Sequence, residues 1–193
     1  MNLNLGDTQA IIAEGKKRGV LRNQLAYILA TAYHETAHTM KPIKEMGGEA
    51  YLKAKKYYPW YGRGYVQITW ESNYKQYGIT NADDALKPEV AMHVLFDGML
   101  NGKFTSRRLD RYVNLKESNF ASARQVVNKL DQYVLIASYA KQYDAQLKEM
   151  GYGNTENSNE GDTPVNDTVD KDSTAVVLLR LILKLITDYL ARK

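Results

Sequence analysis

The chain has 193 residues, of which 44% are hydrophobic, so it can form one domain with a real core and an appendage. It contains no cysteine, which excludes disulfides, thiolate zinc sites and cysteine nucleophiles. The net charge of +4 is divided unevenly, because residues 153–173 are acidic whereas 1–152 and 174–193 are basic. A basic body suits an anionic partner such as a membrane face or a bacterial wall. Because no nucleic-acid-binding motif accompanies the charge, no nucleic-acid partner is expected.

The first part of the chain has the apolar spacing of two helices. These are predicted over residues 7–18 and 22–38, and Pro42 limits any continuation of the second one. Residues 46–64 are rich in Gly, Tyr and Lys and are predicted to form a loop. The alternating and β-branched run at 65–70 predicts a short strand or extended segment.

Two further helices are predicted later in the chain, at about 83–100 and 120–149. With the earlier elements they make residues 1–152 a compact and mainly α-helical domain. Residues 153–173 have no apolar period and are predicted to be a flexible acidic linker. The terminal segment 174–193 follows as a separate helix.

This terminal segment, 174–193, is strongly apolar and carries its central charges in one narrow stripe. Arg180, Lys184 and Asp188 are spaced at i, i+4 and i+8. Two bases in the middle of the segment fit poorly with spanning the roughly 30 Å hydrocarbon layer of a bilayer. The pattern therefore predicts an amphipathic helix that lies on an anionic membrane surface. Docking on the domain, or self-association, is the alternative.

A pentapeptide at the end of the second predicted helix, His34–His38, matches the H-E-x-x-H motif of zinc peptidases. On a helix, His34 and His38 would hold the metal and Glu35 would act as the general base. Zinc also needs a third protein ligand, and the only other histidine, His93, lies in an amphipathic helix. A glutamate could serve instead, but none belongs to a second motif. A zinc peptidase stays an alternative, and no metal or cofactor is expected.

The same Glu35 fits a second chemistry, the cleavage of a glycosidic bond. That reaction needs one carboxylic acid to protonate the leaving oxygen and a second carboxylate to attack or to activate water. Glu35 lies near the end of an apolar helix and is expected to be half-buried, as suits the acid. The second carboxylate is expected on a loop past Pro42, where Glu45 is the first candidate and Glu49 its competitor.

Several motifs extend this second interpretation along the chain. They are Ala32-Tyr33-His34-Glu35-Thr36, Gly62-Arg63-Gly64-Tyr65-Val66-Gln67-Ile68-Thr69, Asn73-Tyr74 and Ala123-Arg124-Gln125-Val126-Val127-Asn128. Together they resemble the family 19 glycoside hydrolases, and most closely the phage endolysin branch of that family, over roughly residues 20–150. The resemblance implies a lysozyme-like or chitinase-like α-helical domain in which a short β or extended segment lines a groove.

The resemblance also implies a role for individual residues. Glu35 matches the general acid, Glu45 the general base, and Thr69 the hydroxyl that helps to hold the attacking water. Arg63 matches a structural residue whose forked donors tie the loop to the core. The expected substrate contacts are Gln67, Asn73, Tyr65 and Asn128.

The family inverts the anomeric centre, which implies space for a water between the two carboxylates. The lack of cysteines and the short loops favour peptidoglycan over chitin. The expected protein is therefore an endolysin that hydrolyses β-1,4 bonds between N-acetylmuramic acid and N-acetylglucosamine, causing host cell lysis. A chitinase is the alternative within the fold, and an inactive glycan-binding domain is the alternative outside enzymes.

The N-terminus has no secretory signal. The protein is accordingly expected in the host bacterial cytoplasm, from which a holin-type release would bring it to the cell wall. Replacing Glu35 by Gln should abolish hydrolysis with little loss of stability.

Overall fold

The computed structural model describes residues 1–153, and this part of the chain is mainly helical. The predicted linker beyond Gly153 and the predicted membrane-contacting helix at 174–193 lie outside the described residues. Within them the α-helices are α1 (Thr8–Lys17), α2 (Arg22–Glu35), α3 (Glu49–Lys53), α4 (Glu71–Lys75), α5 (Pro88–Asn101), α6 (Phe120–Ala123) and α7 (Tyr133–Glu149). Two short strands, β1 (Ile43–Lys44) and β2 (Arg63–Gly64), pair in antiparallel fashion. Single 3₁₀ turns occupy Ala82–Leu86, Leu109–Arg111 and Arg124–Val126.

The central element of the domain is α2. Its residues from Leu25 to Ala32 are completely buried, which is the pattern of a helix that is surrounded by protein on all sides. It packs most extensively against α7, and also against α1 and α5. The buried Gln24 at its start is satisfied, since its Nε2 donates to the carbonyl of Val113 at 2.9 Å. This buried helix carries Glu35 at its C-terminal end.

The first two predicted helices are confirmed, but the second is three residues shorter than expected. It ends at Glu35 because the Thr36 hydroxyl donates to the Ala32 carbonyl at 2.7 Å and accepts from the Met40 amide at 3.0 Å. Ala37 and His38 then adopt left-handed φ values of 49° and 67°. The chain therefore leaves the helical path between the two histidines of the pentapeptide.

The prediction of an extended segment at 65–70 is wrong. Residues 65–67 form a tight turn with Gln67 at φ 51°, and Ile68 pairs back with Arg63 through two backbone hydrogen bonds of 3.2 and 2.9 Å. The apolar residues of this run are buried around the turn rather than along a strand. The short helix α3 was also missed, since residues 46–64 were expected to be loop throughout.

The predicted helix at 120–149 is interrupted. It consists of α6, a 3₁₀ turn, an irregular segment at 127–132 and then α7, which follows Gln132 at φ 55°. Arg124, the first residue of this 3₁₀ turn, is 2% exposed. The predicted helix at 83–100 begins later than expected, at Pro88, because proline favours the first helical position.

No helix within residues 1–153 is both long enough and apolar enough to cross a bilayer.

Candidate functional site

The Glu35 carboxylate is held by one buried cation. Arg124 Nη1 donates to Glu35 Oε1 at 2.7 Å, and the side chains are 2% and 17% exposed respectively. The Arg124 Nε also donates to the Asp131 carbonyl at 2.9 Å, which fixes the guanidinium plane. Glu35 Oε2 accepts no hydrogen bond from residues 1–153. One carboxylate oxygen is thus anchored, and the other is available to a ligand.

His34 lies directly beside this ion pair and is half-buried. Burial lowers the pKa of its imidazole, against the smaller opposing influence of the Glu35 charge. Its Nδ1 atom is buried and has no hydrogen-bond partner among the described residues. Behind the pair lies Tyr27, whose pKa is raised by burial. Arg124 is thus the cation that contacts Glu35, and the charge of Asp131 also acts on His34 beside the pair.

His38 is not placed for the two-histidine zinc motif. Its ring stacks on Tyr33 with the centroids 4.4 Å apart and meets the edge of Tyr139 at 5.8 Å. Because α2 ends at Glu35, His34 and His38 do not lie one helical turn apart on one face. Among the residues that the structure describes, no three His, Asp or Glu side chains are arranged to hold a metal ion.

Glu45 directly follows β1 and is fixed at both oxygens. Its Oε1 accepts from the Tyr57 hydroxyl at 2.9 Å and its Oε2 from the Gly62 amide at 3.1 Å, while the Glu45 amide donates back to the Gly62 carbonyl. Its competitor Glu49 is 80% exposed and pairs with Lys53 at 2.7 Å on the surface of α3. Of the two glutamates, only Glu45 is held in a defined position by the loop around it.

Three polar residues that follow β2 are linked in a chain. Gln67 Nε2 donates to the carbonyls of Ile43 at 3.0 Å and Gly64 at 3.2 Å. The Thr69 hydroxyl donates to the Gln67 carbonyl at 2.9 Å, and Asn73 Nδ2 donates to the Thr69 carbonyl at 2.7 Å. These bonds link Thr69, on the loop that also supplies Gly62 to Glu45, to Asn73 in the first turn of α4.

Gly62 packs closely against the Gln67 side chain, which would have to shift to admit a larger residue here. A Cβ at this position would lie 2.8 Å from Gln67 Oε1, closer than such contacts occur. Beside the same loop, Trp70 is half exposed and meets the ring of Tyr57 edge-on, with centroids 5.3 Å apart. An aromatic surface therefore adjoins the loop that carries Glu45 and Thr69, and sequence reasoning did not select it.

Two expected residues of the Gly62–Thr69 motif are structural. Arg63 is 3% exposed and donates to Asp83 at 2.8 Å and to the Pro59 carbonyl at 2.9 Å, which confirms its expected tying role. Tyr65 was expected to contact substrate, but it is completely buried and its hydroxyl donates to Asp7 at 2.6 Å. The structure therefore places Tyr65 in the core, out of reach of a sugar.

Asn128 is exposed, as a substrate contact requires, and lies on the segment that interrupts α6 and α7. It lines a cleft of about 370 Å³ together with Arg107, Gln125 and Lys129. The expected site residues thus fall into two groups that are each connected internally. Glu35 and Arg124 adjoin the Asn128 segment, whereas Glu45, Gln67 and Thr69 lie on the loops around β1 and β2, next to Asn73 in α4.

Sequence reasoning gave Arg124 no role, although it belongs to one of the quoted motifs. A signal was present, because a single base stands between Ala123 and Val126 at a position that a helix would bury. Against models of known protein families, curated proteins and solved structures, the chain has no significant match.

Proposed function

We propose that this protein is a glycoside hydrolase that cleaves β-1,4 bonds of bacterial peptidoglycan, acting as a phage-type endolysin. The observation that carries the proposal is the anchored Glu35. Its Oε1 is held by the buried Arg124 at 2.7 Å, and its Oε2 accepts no hydrogen bond from the described residues. A general acid must bring an oxygen within hydrogen-bond reach of the group that it protonates, and Oε2 is the Glu35 oxygen left for this.

In the proposed reaction, protonated Glu35 Oε2 gives its proton to the glycosidic oxygen as the bond to the anomeric carbon breaks. Water attacks the opposite face of the sugar ring, and Glu45 takes the proton from that water, which inverts the anomeric centre. Thr69 orients the water through its hydroxyl lone pairs, since its proton is used on the Gln67 carbonyl. Glu45 is favoured over Glu49 because two hydrogen bonds hold it in place.

The choice of peptidoglycan rests on the family resemblance, with its short cysteine-free loops, and on the basic charge of residues 1–152. Asn73 and Asn128 supply amide groups for sugar hydroxyl and acetamido groups, and Gln67 supplies its Oε1 as an acceptor because its Nε2 donates to two backbone carbonyls. Chitin is the competing substrate on the same site. As part of this proposal, the enzyme is made in the host cytoplasm and reaches the wall after holin-type release.

The test is a lysis assay on Gram-negative cells whose outer membrane has been stripped. The wild-type protein is expected to clear the suspension, and Glu35→Gln is expected to lower the rate at least 100-fold. Glu49→Gln serves as the matched control, since it removes one exposed carboxylate without touching either group of site residues. Equal lysis by wild type and Glu35→Gln would refute the proposal. Hydrolysis of purified chitin oligomers, measured in place of cell lysis, distinguishes a chitinase from a peptidoglycan hydrolase.

A further inference from the structure

The polar side chains that line the cleft beside Asn128 present mainly hydrogen-bond donors, and Val127 and Leu130 supply its apolar part. Arg107 Nη1 donates to Gln125 Oε1, so the accessible end of the Gln125 amide is its NH₂ group. Asn128 Oδ1 accepts from the Lys129 amide at 2.8 Å, which turns the Asn128 NH₂ group away from the backbone. With the ammonium of Lys129, the cleft thus combines two cations with two amide donors.

The positive charge of this cleft is not neutralised within the described part of the chain. Neither Arg107 nor Lys129 has a carboxylate partner among residues 1–153, and no acidic side chain from those residues lines the cleft. The partners of Arg107 are the neutral Gln125 and, at 3.4 Å, the Tyr112 hydroxyl. An unpaired guanidinium that neutral groups hold in place is suited to bind an anion from outside.

The backbone around the cleft fixes its shape. The Thr105 hydroxyl bonds to the carbonyls of Gln125 at 2.7 Å and Val126 at 3.0 Å, which ties the two walls together. Gly102 has a left-handed φ of 71°, and a Cβ there would lie 2.9 Å from the Arg107 backbone. The loop that carries Arg107 is thus folded tightly, and the donors of the cleft are preorganised.

The cleft is connected to the proposed catalytic acid through the chain itself. Gln125 is the second residue of the 3₁₀ turn whose first residue, Arg124, holds Glu35, and Asn128 follows two residues after that turn. A glycan bound at Glu35 that extends along this segment would place a substituent in the cleft. Chitin carries no carboxylate, whereas every muramic acid residue carries one, either on its free lactyl ether or on the peptide attached to it.

We propose that this cleft, defined by Arg107, Gln125, Asn128 and Lys129, is a subsite that binds a carboxylate on the muramic acid side of the glycan. The inference rests on the proposed function and specifies its substrate class. Free lactyl carboxylates and peptide carboxylates share this chemistry. Carboxylate binding here selects peptidoglycan over chitin.

The experiment measures binding of peptidoglycan fragments to the full chain carrying Glu35→Gln, which keeps the fragments intact. Adding Arg107→Gln and Lys129→Gln should weaken binding at least tenfold. The matched control, Lys16→Gln with Lys116→Gln, removes the same charge from segments that pack beside the N-terminal end of α2. That end lies roughly 20 Å along the helix from Glu35, and the control should bind as the parent does.

Three further ligands complete the test. Fragments stripped of peptide retain only the lactyl carboxylate, and they identify which carboxylate the cleft binds. Fragments with carboxyls converted to amides should bind the parent at least tenfold more weakly, with no further loss in the double variant.

An unchanged dissociation constant in the double variant would overturn the subsite. The subsite would also be overturned if the double variant lost affinity for amidated fragments, or for a single-stranded oligonucleotide, by the same factor as for untreated fragments. If the wild-type protein releases sugar ends from peptidoglycan but the double variant binds fragments as tightly as its parent, only the subsite fails. If the wild-type protein releases no sugar ends, the proposed function fails.

Discussion

The carboxylate of Glu35 and the guanidinium of Arg124 meet at 2.7 Å although 89 residues separate them in the chain. Arg124 is more deeply buried than its partner, and it has no other charged partner within residues 1–153. Removing one member of such a pair leaves the other uncompensated in a region of low polarity. This relationship makes Glu35 a structural residue as well as the proposed acid, and it revises the expectation that its charge can be removed at little cost.

Arg124→Met is therefore expected to lower the free energy of unfolding by about 2–4 kcal/mol, and Glu35→Gln by about 1–2 kcal/mol. Urea denaturation followed by circular dichroism measures both values. The matched control is Arg22→Met, which breaks the more exposed pair with Asp144 and should cost less than about 1 kcal/mol. Arg124→Met and Arg22→Met variants of equal stability would contradict this account of the buried pair.

Glu45 and Glu49 give a second comparison within one loop region. Glu45→Gln is expected to lower the hydrolysis rate at least 100-fold, because the proposed base is lost from a fixed position. Glu49→Gln should leave the rate within about twofold and the stability within about 0.5 kcal/mol, since its pair with Lys53 is exposed. Rates of sugar-end release from peptidoglycan decide the matter. A large loss for Glu49→Gln and a small one for Glu45→Gln would reverse the assignment.

The buried tyrosines predict loss of stability in alkali. Burial raises the pKa of Tyr74 and Tyr152 to about 12, and it raises those of Tyr65 and Tyr143 as well. In the unfolded chain the tyrosine hydroxyls ionise near pH 10. Above that pH the folded state therefore holds more protons than the unfolded state, and the free energy of unfolding falls as the pH rises. Urea titrations from pH 8 to 11.5 should show this decline.

Tyr65→Phe tests the same effect at one residue. It removes the hydroxyl that donates to Asp7, so stability at pH 8 should fall by about 1–2 kcal/mol. The alkaline decline should also become shallower, because one ionising group has been removed. If the slope above pH 10 matched that of the wild type, the buried Tyr65 hydroxyl would not contribute to it.

Removal of metal ions distinguishes a glycoside hydrolase activity from a zinc peptidase activity of this protein. Activity on peptidoglycan should be unchanged by a strong zinc chelator, and His38→Gln should retain it within about twofold, because His38 packs on Tyr33 and Tyr139. Release of reducing sugar ends and of free amino groups is followed in parallel. Inhibition by the chelator that added zinc reverses, with release of amino groups, would establish the peptidase instead.

Sequence periodicity predicted the parts of the fold that depend on local pattern. The buried α2, the early α1 and the general positions of the later helices follow from apolar spacing. It failed at the turn 65–67, where an alternating run is buried around a bend instead of along a strand. It also failed at 127–132, where the chain leaves the helical path although local apolar spacing would have continued the helix.

The candidate site was predictable to a similar degree. The family resemblance selected Glu35, Glu45, Thr69 and Asn128, all of which retain an exposed or half-buried side chain. It also selected Tyr65, because sequence alone does not reveal that its hydroxyl is used by Asp7 in the core. The donors of the Arg107 cleft come from segments distant in sequence, so only the folded chain brings them together.

The central claim is that Glu35 drives cleavage of a glycosidic bond, and identification of the new chain ends tests it most directly. Purified peptidoglycan is digested, reduced with borohydride and hydrolysed, and the amino sugar alcohols are quantified. Reduced muramic acid is expected to accumulate with the wild-type protein and to fall at least 100-fold with Glu35→Gln. Solubilised wall without new reduced sugar ends, or equal accumulation with Glu35→Gln, would contradict the account.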